Sequence, residues 1–271
     1  MKKTLPILFE TCLLLSIALS GCSNKSSQSN SEPQTSSSIS SIISPTVEEN
    51  PQGLDFYLTD NGEYYVGQGQ ATLLSSITIP SSFRNRAVVG IIKSGFSLCF
   101  AKQIVLPETL KYIEDNAFYD CKSLLSLNIP DGVVSIGDSA FAGCDSLLFK
   151  SENFCTYIGN EGNPYVVLTK AVSGSASPSF INNNCRLIYR YAFYHGFSSI
   201  IIPNNVRTIS RYAFDGCDAT TVFIPKSVTR IESQAFRSCS NLTIYCEVEN
   251  KPNGWADDWN YYCPVVWSAT P

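Results

Sequence analysis

The sequence predicts a β-rich repeat solenoid, a stack of coils that each add one strand to a parallel sheet. Three observations carry this. A phrase recurs at fixed offsets: "PETLKYIEDNAFYDC" from Pro107, "PDGVVSIGDSAFAGC" from Pro130, "PNNVRTISRYAFDGC" from Pro203 and "PKSVTRIESQAFRSC" from Pro225, each with its proline 14 residues before its cysteine. A looser copy starts at Pro80 and ends at Cys99, and a degenerate one runs from Asn182 to Gly196, giving six copies at a basic period of 22 or 23 residues. Self-similarity at such a period is the signature of a solenoid. Finally, the segment before each proline ("LLSLNIP", "KQIVLP", "SSIIIP", "TTVFIP") alternates apolar and polar residues, the pattern of a strand with one buried face.

The chain opens with "MKK" and an apolar stretch over 5–19, interrupted by Glu10, before "LSGC". This stretch is shorter than the roughly 20 apolar residues that span a bilayer. It resembles the signal peptide and lipobox of bacterial lipoproteins, which implies removal of residues 1–21 and lipidation of Cys22. Two or three acyl chains, at about 0.8 kcal/mol per buried methylene, would hold the protein to a membrane. Residues 22–50 are dominated by serine and have little to bury, so they are expected to form a disordered tether.

The repeat domain follows over 51–271. Each coil cannot bury its apolar side alone, so neighbours must stack, with strands about 4.8 Å apart. Proline ends each strand because it lacks the ladder donor. The Ala-Phe turn should point Phe96, Phe118, Phe141, Phe193, Phe214 and Phe236 inward as one continuous aromatic row. Counting back from each proline, positions one and three are buried, as at Ile129 and Leu127. Position two faces outward: Thr78, Val105, Asn128, Ile201, Phe223 and Tyr245. Position four gives a hydroxyl-rich row that includes Ser199, Thr221 and Thr243.

The joint Ile, Ala-Phe, Cys and Ile-Pro pattern resembles the leucine-rich repeats of the BspA-like class, over about 53–271. The resemblance implies a leucine-rich-repeat stack with β caps at both ends. "GLDFYLTDNGEYYVGQG" is similar to the family's N-terminal hairpin cap, and "ENKPNGWADDWNYYCPVVW", within a cap over 247–271, to its C-terminal strand cap. "YIGNEGNPYVVLTKA" is similar to the hairpin that interrupts many members, here placed at about 151–178, and its "NEGNP" turn supports a hairpin independently. Membership further implies export, surface display and adhesion to proteins of a host or of neighbouring cells.

Composition and motifs narrow the function. Only 15% of residues are charged and the net charge is −4, so there is no basic stripe for nucleic acid. No glycine-rich phosphate loop and no C-x-x-C pair is present, and no cofactor is implied. Eleven cysteines are unusual, but Cys99, Cys121, Cys144, Cys217 and Cys239 fall in single file, one per coil, which suits small buried apolar groups rather than a metal or disulfides. Cys185 and Cys246 are expected in the core; Cys155 and Cys263 fall outside the repeat position.

His195, the sole histidine, has no nucleophile motif beside it. Asp257 and Asp258, between Trp255 and Trp259, suggest paired-carboxylate chemistry, although consecutive side chains tend to point apart. The chain is therefore expected to be non-catalytic. Its partner site is placed on the outward row Ile201, Phe223 and Tyr245 with Thr221 and Thr243, residue types that β-propensity alone also favours. The alternative is a glycan held by Trp255, Trp259 and nearby tyrosines, which requires exposed Trp rings.

Overall fold

A computed structural model describes residues 48–49, 52–172 and 178–271. The expected signal peptide, Cys22 and nearly all of the tether lie outside them. Two residues assigned to the tether do not fit that assignment: β1 (Glu48–Glu49) pairs antiparallel with β2 (Asp55–Leu58), which turns into β3 (Tyr64–Gly67). The turn contains Asn61-Gly62, with Gly62 at φ 78°, a conformation glycine adopts freely. This is the predicted N-terminal hairpin cap.

The first coils contribute β4 (Ser76–Thr78), then β5 (Ser82–Phe83) paired antiparallel with β6 (Arg86–Ile91), then β7 (Gln103–Val105), β8 (Tyr112–Ile113), β9 (Ser126–Asn128) and β10 (Ser135–Ile136). A hairpin follows: β11 (Lys150–Glu152), β12 (Cys155–Ile158) and β13 (Val167–Ala171). The remaining coils supply β14 (Leu187–Ile188), β15 (Ser199–Ile201), β16 (Thr208–Ile209), β17 (Thr221–Ile224), β18 (Arg230–Ile231), β19 (Thr243–Cys246) and β20 (Val265–Val266). No helix among the described residues is long and apolar enough to cross a membrane.

The expectation of one strand per coil is corrected. Each regular coil has two. The strand before the proline builds the face sheets β4-β7-β9 and β15-β17-β19-β20. The "V-x-x-I" segment after it forms a second, two-residue strand, as in β8, β10, β16 and β18. Two residues are too few to show a period, which is why alternation reveals only the first strand. The Ala-Phe corner is laddered as well: Phe96 N–H donates to the Ala117 carbonyl at 2.7 Å and Phe118 N–H to that of Ala140 at 2.9 Å. Left-handed residues four apart orient this corner, as at Asn116 (φ 55°) and Asp120 (φ 57°), or Tyr212 (φ 59°) and Gly216 (φ 70°).

The hairpin divides the molecule into two stacks with separate cores. Along β12 and β13, Ile158 and Val167 face the first core while Tyr157 and Leu168 face the second. A sheet buried on both faces reads as an apolar run, here "YVVL". The hairpin also restarts the solenoid. As β3 leaves its hairpin to pair parallel with β6, so β13 leaves its own to pair parallel with β14. The inserted segment is thus the N-terminal cap of the second stack.

The division breaks the expected aromatic row. Phe96, Phe118 and Phe141 stack at 5.8 and 6.1 Å; Phe193, Phe214 and Phe236 stack at 4.5 and 4.6 Å. Tyr189 occupies the gap, 5.8 Å from Phe141, and its hydroxyl donates to the Gly137 carbonyl (2.9 Å) and accepts from the Ala140 N–H (3.1 Å). Thr208 Oγ1 donates to the Val134 carbonyl (3.1 Å) and Ser135 Oγ to Glu232 Oε1 (3.1 Å), tying the edge strand β10 to the second stack.

The C-terminal cap continues the repeat in degenerate form. Trp255 bridges Ile231 at the second-strand position, Trp259 extends the aromatic row at 5.7 Å from Phe236, and β20 adds the last face strand. Cys263, expected outside the cysteine column, joins it: its thiol lies 3.7 Å from the Phe236 carbonyl, as those of Cys121, Cys144 and Cys239 lie 2.9, 3.0 and 2.9 Å from the phenylalanine carbonyl one coil earlier. One extra residue between Trp259 and Cys263 hides this register in the sequence.

Candidate interaction surface

The face of the second stack is built by alternation. Ile200, Val222 and Ile244 are fully buried, so the residues beside them point away from the core. Parallel pairing then sets them in line: Ile201 opposite Phe223, Phe223 opposite Tyr245, Tyr245 opposite Val266. The second row aligns Ser199, Thr221 and Thr243, with the Thr221 hydroxyl donating to that of Ser199 at 2.7 Å. Neither row carries a charge. Val266, from the cap, extends the apolar row by one member that sequence counting missed, because the cap lacks the proline from which positions are counted.

One expectation about this surface is corrected. Phe223 is only 8% exposed, while Ile201 and Tyr245 are half-buried. Its ring is flanked in register on both sides, and it lines a cavity of about 400 Å³ together with Ile181, Ile201, Pro203 and the C-terminal Pro271. Its central place in the row, between Ile201 and Tyr245, buries it. The accessible part of the row is therefore Ile201, Tyr245 and Val266, the last 42% exposed.

A second concavity of about 710 Å³ opens where the stacks diverge. Glu114, Asp115 and Asp138 line it from the first stack, and Arg211, Arg230 and Glu232 from the second. The Glu232 carboxylate is engaged, by Arg230 at 3.2 Å, by Ser135 and by the Arg211 N–H at 3.0 Å. Burial raises the Glu114 carboxyl above the ordinary range, reinforced by Asp115 and Glu232 and opposed by Lys93.

The residues weighed for other chemistry have structural surroundings. Trp255 and Trp259 are each 2% exposed, and Trp255 Nε1–H donates to the Val228 carbonyl at 3.0 Å. The Trp-based glycan site is thus corrected: the rings fill the cap. Asp257 pairs with Lys251 at 2.6 Å while Asp258 accepts from the Ser233 hydroxyl at 2.8 Å, so the two carboxylates serve different partners. His195 is exposed, 4.0 Å from Asp218 and packed on Tyr194. The backbone N–H groups of Gly196 and Phe197 hold the Asp218 carboxyl below its usual range. The nine described cysteines are free and buried. Among the described residues, no cluster of three or more His, Cys, Asp or Glu side chains could hold a metal ion.

No curated protein matches the chain. Among solved structures, it is similar to a leucine-rich cell surface protein from Faecalibacterium prausnitzii, with 24% identity, 79% of this chain and 57% of that one covered, and a TM-score of 0.41. It is also similar to a leucine-rich repeat protein from T. pallidum (19% identity, 79% and 94% covered, TM-score 0.41) and to one from Bacteroides ovatus (18%, 80% and 70%, 0.35). The chain spans little more than half the length of the first of these. The profile of the BspA type leucine rich repeat region matches in 6 copies over residues 89–162 and 173–250. These repeats cover more than half of its length, and the chain belongs to the BspA-type leucine-rich repeat family.

Proposed function

We propose that this chain is a non-catalytic repeat protein, exported, anchored by lipid on Cys22 and displayed at the cell surface, where it binds a protein of a host or neighbouring cell. The observation that supports the binding role best is the in-register, uncharged row Ile201, Phe223, Tyr245 and Val266 beside the hydroxyl row Ser199, Thr221 and Thr243. Four strands about 4.8 Å apart make this an apolar strip roughly 14 Å long. Apolar strips with aromatic anchors favour protein partners, and solenoids present them on rigid, extended surfaces. The anchor rests on the "LSGC" sequence and its apolar leader.

The test is capture from host-surface and bacterial-surface extracts by the wild-type protein and by Ile201→Asp with Tyr245→Asp. These two half-buried positions replace Phe223, whose burial would confuse lost binding with lost folding. A protein captured by wild type and lost in the folded double variant supports the reading. Equal capture by both refutes the site.

A glycan remains the second reading, moved from the tryptophans to Tyr261 and Tyr262. Tyr262 is 92% exposed, and the pair borders a cavity of about 450 Å³ with Gln234, Asp257, Asp258 and Asn260. Exposed rings beside carboxamides and carboxylates suit stacking on a sugar. Glycan capture abolished by Tyr262→Ala would favour it.

A further inference from the structure

Two adjacent coils share a sequence that the others lack. Arg-Tyr-Ala-Phe occupies 190–193 and again 211–214, whereas the residue before Ala-Phe is Asn116, Ser139 or Gln234 elsewhere. The fold does not require tyrosine there. Asn116 N–H makes the same ladder bond to the next coil, at 2.8 Å, as Tyr191 N–H makes at 3.0 Å. Tyrosine is also the less comfortable choice, since Tyr191 and Tyr212 hold φ at 53° and 59°. The same backbone conformation recurs at Asn116, Ser139 and Gln234, so it belongs to the corner itself; what sets these two coils apart is the bulky ring placed on it, which this left-handed region disfavours.

The side chains form an ordered ridge. The Tyr191 and Tyr212 rings stack at 5.9 Å, nearly parallel. Arg190 lies 4.6 Å over Tyr191, and Arg211 and Arg237 each lie 4.6 Å over Tyr212. Asp138 pairs with Arg190 at 2.8 Å, and Asp215 grips Arg237 at 2.9 and 2.7 Å. Arg211 is exposed and, among the described residues, has no ion-pair partner; the nearby Glu232 carboxylate is held by Arg230 and Ser135 and takes from Arg211 its backbone N–H rather than its guanidinium. Arg190 and Arg237 are each held by a carboxylate, which leaves Arg211 as the guanidinium of this ridge free to take a further one.

We propose that this ridge docks an acidic polypeptide segment. Arg211 takes a carboxylate through its paired N–H edge, and Tyr191, 45% exposed, packs the adjacent aliphatic stem. A guanidinium already stacked on a ring is preorganised, so it loses little freedom when it grips a planar carboxylate. Arg and Tyr are also the residue types on which interface energy concentrates.

The test uses the full chain and a fluorescein-labelled Glu/Asp-rich peptide, with its Gln/Asn counterpart as control, followed by anisotropy. The acidic peptide alone should bind. Arg211→Ala should weaken it about tenfold or more, and Tyr191→Ser several-fold, with thermal unfolding unchanged. Arg211→Lys should fail to restore binding, because it keeps the charge without the planar fork. The Ile201/Tyr245 variant should bind the peptide normally, which separates this site from the face row. No binding to wild type, equal binding by Arg211→Ala, or full rescue by Arg211→Lys would overturn the proposal. So would capture of polygalacturonate in place of the peptide.

Discussion

Truncating Phe214 should be among the most damaging single changes to the second stack. The ring is 0% exposed and lies 4.5 Å from Phe193 and 4.6 Å from Phe236. Each such stack contributes about 0.5–1.5 kcal/mol beyond area burial. With the lost transfer energy and the cavity left behind, Phe214→Ala should cost about 3–5 kcal/mol. Phe141 is the internal comparison. It holds the same repeat position but is only partly buried, with neighbours at 6.1 and 5.8 Å. Its truncation should cost about half as much. Urea unfolding followed by far-UV circular dichroism measures both, and hydrogen exchange locates the loosened coils. Equal losses at the two positions would refute the interrupted row. A loss below about 1 kcal/mol at Phe214 would refute the stacking argument itself.

The remaining predictions concern the thiols and the junction. Burial pushes Cys185 and Cys246 up to about 12 and Cys217 up to about 11, so the folded state favours the neutral thiol. That contribution is intact below the ordinary thiol pKa of about 8.5 and is lost as pH climbs through the folded values. Native protein at pH 8 should therefore resist iodoacetamide at these three cysteines until denaturant is added; labelling of Cys217 at the rate of a free thiol would contradict this. Tyr189→Phe removes the hydroxyl that joins Gly137 and Ala140 to the second stack, leaving buried groups unpaired at a cost of about 1–3 kcal/mol. Amide exchange should rise at residues 137–140, and unchanged exchange there would show that the link is dispensable.

Much of this was legible in the sequence because each coil repeats its instructions. Ile129 and Leu127 lie in the core, as do Phe96, Phe118, Phe193, Phe214 and Phe236, since a fixed period places the same side chain in the same environment; Phe141, at the break between the stacks, is only partly buried. The face row was legible in register but not in exposure. Alternation says which way Phe223 points, whereas its accessibility depends on Ile201, Tyr245 and Pro271, which are distant in sequence. The Trp255 and Trp259 pair illustrates the same limit: composition cannot separate a cap from a sugar platform, and burial at 2% does.

Local chemistry, written in the chain, determined the repeat, the strand before each proline, the phenylalanine corner and the single file of cysteines. These follow from interactions within one coil and with its identical neighbour. Tertiary structure alone decided the second strand per coil, the splitting of one stack into two and the cleft between them. It alone assembled the ridge in which Arg237 reaches the Tyr212 ring from the next coil. The physical reason is range: periodicity encodes contacts that recur every coil, while the hairpin wall, the Tyr189 link and the cap register each occur once, so no pattern announces them.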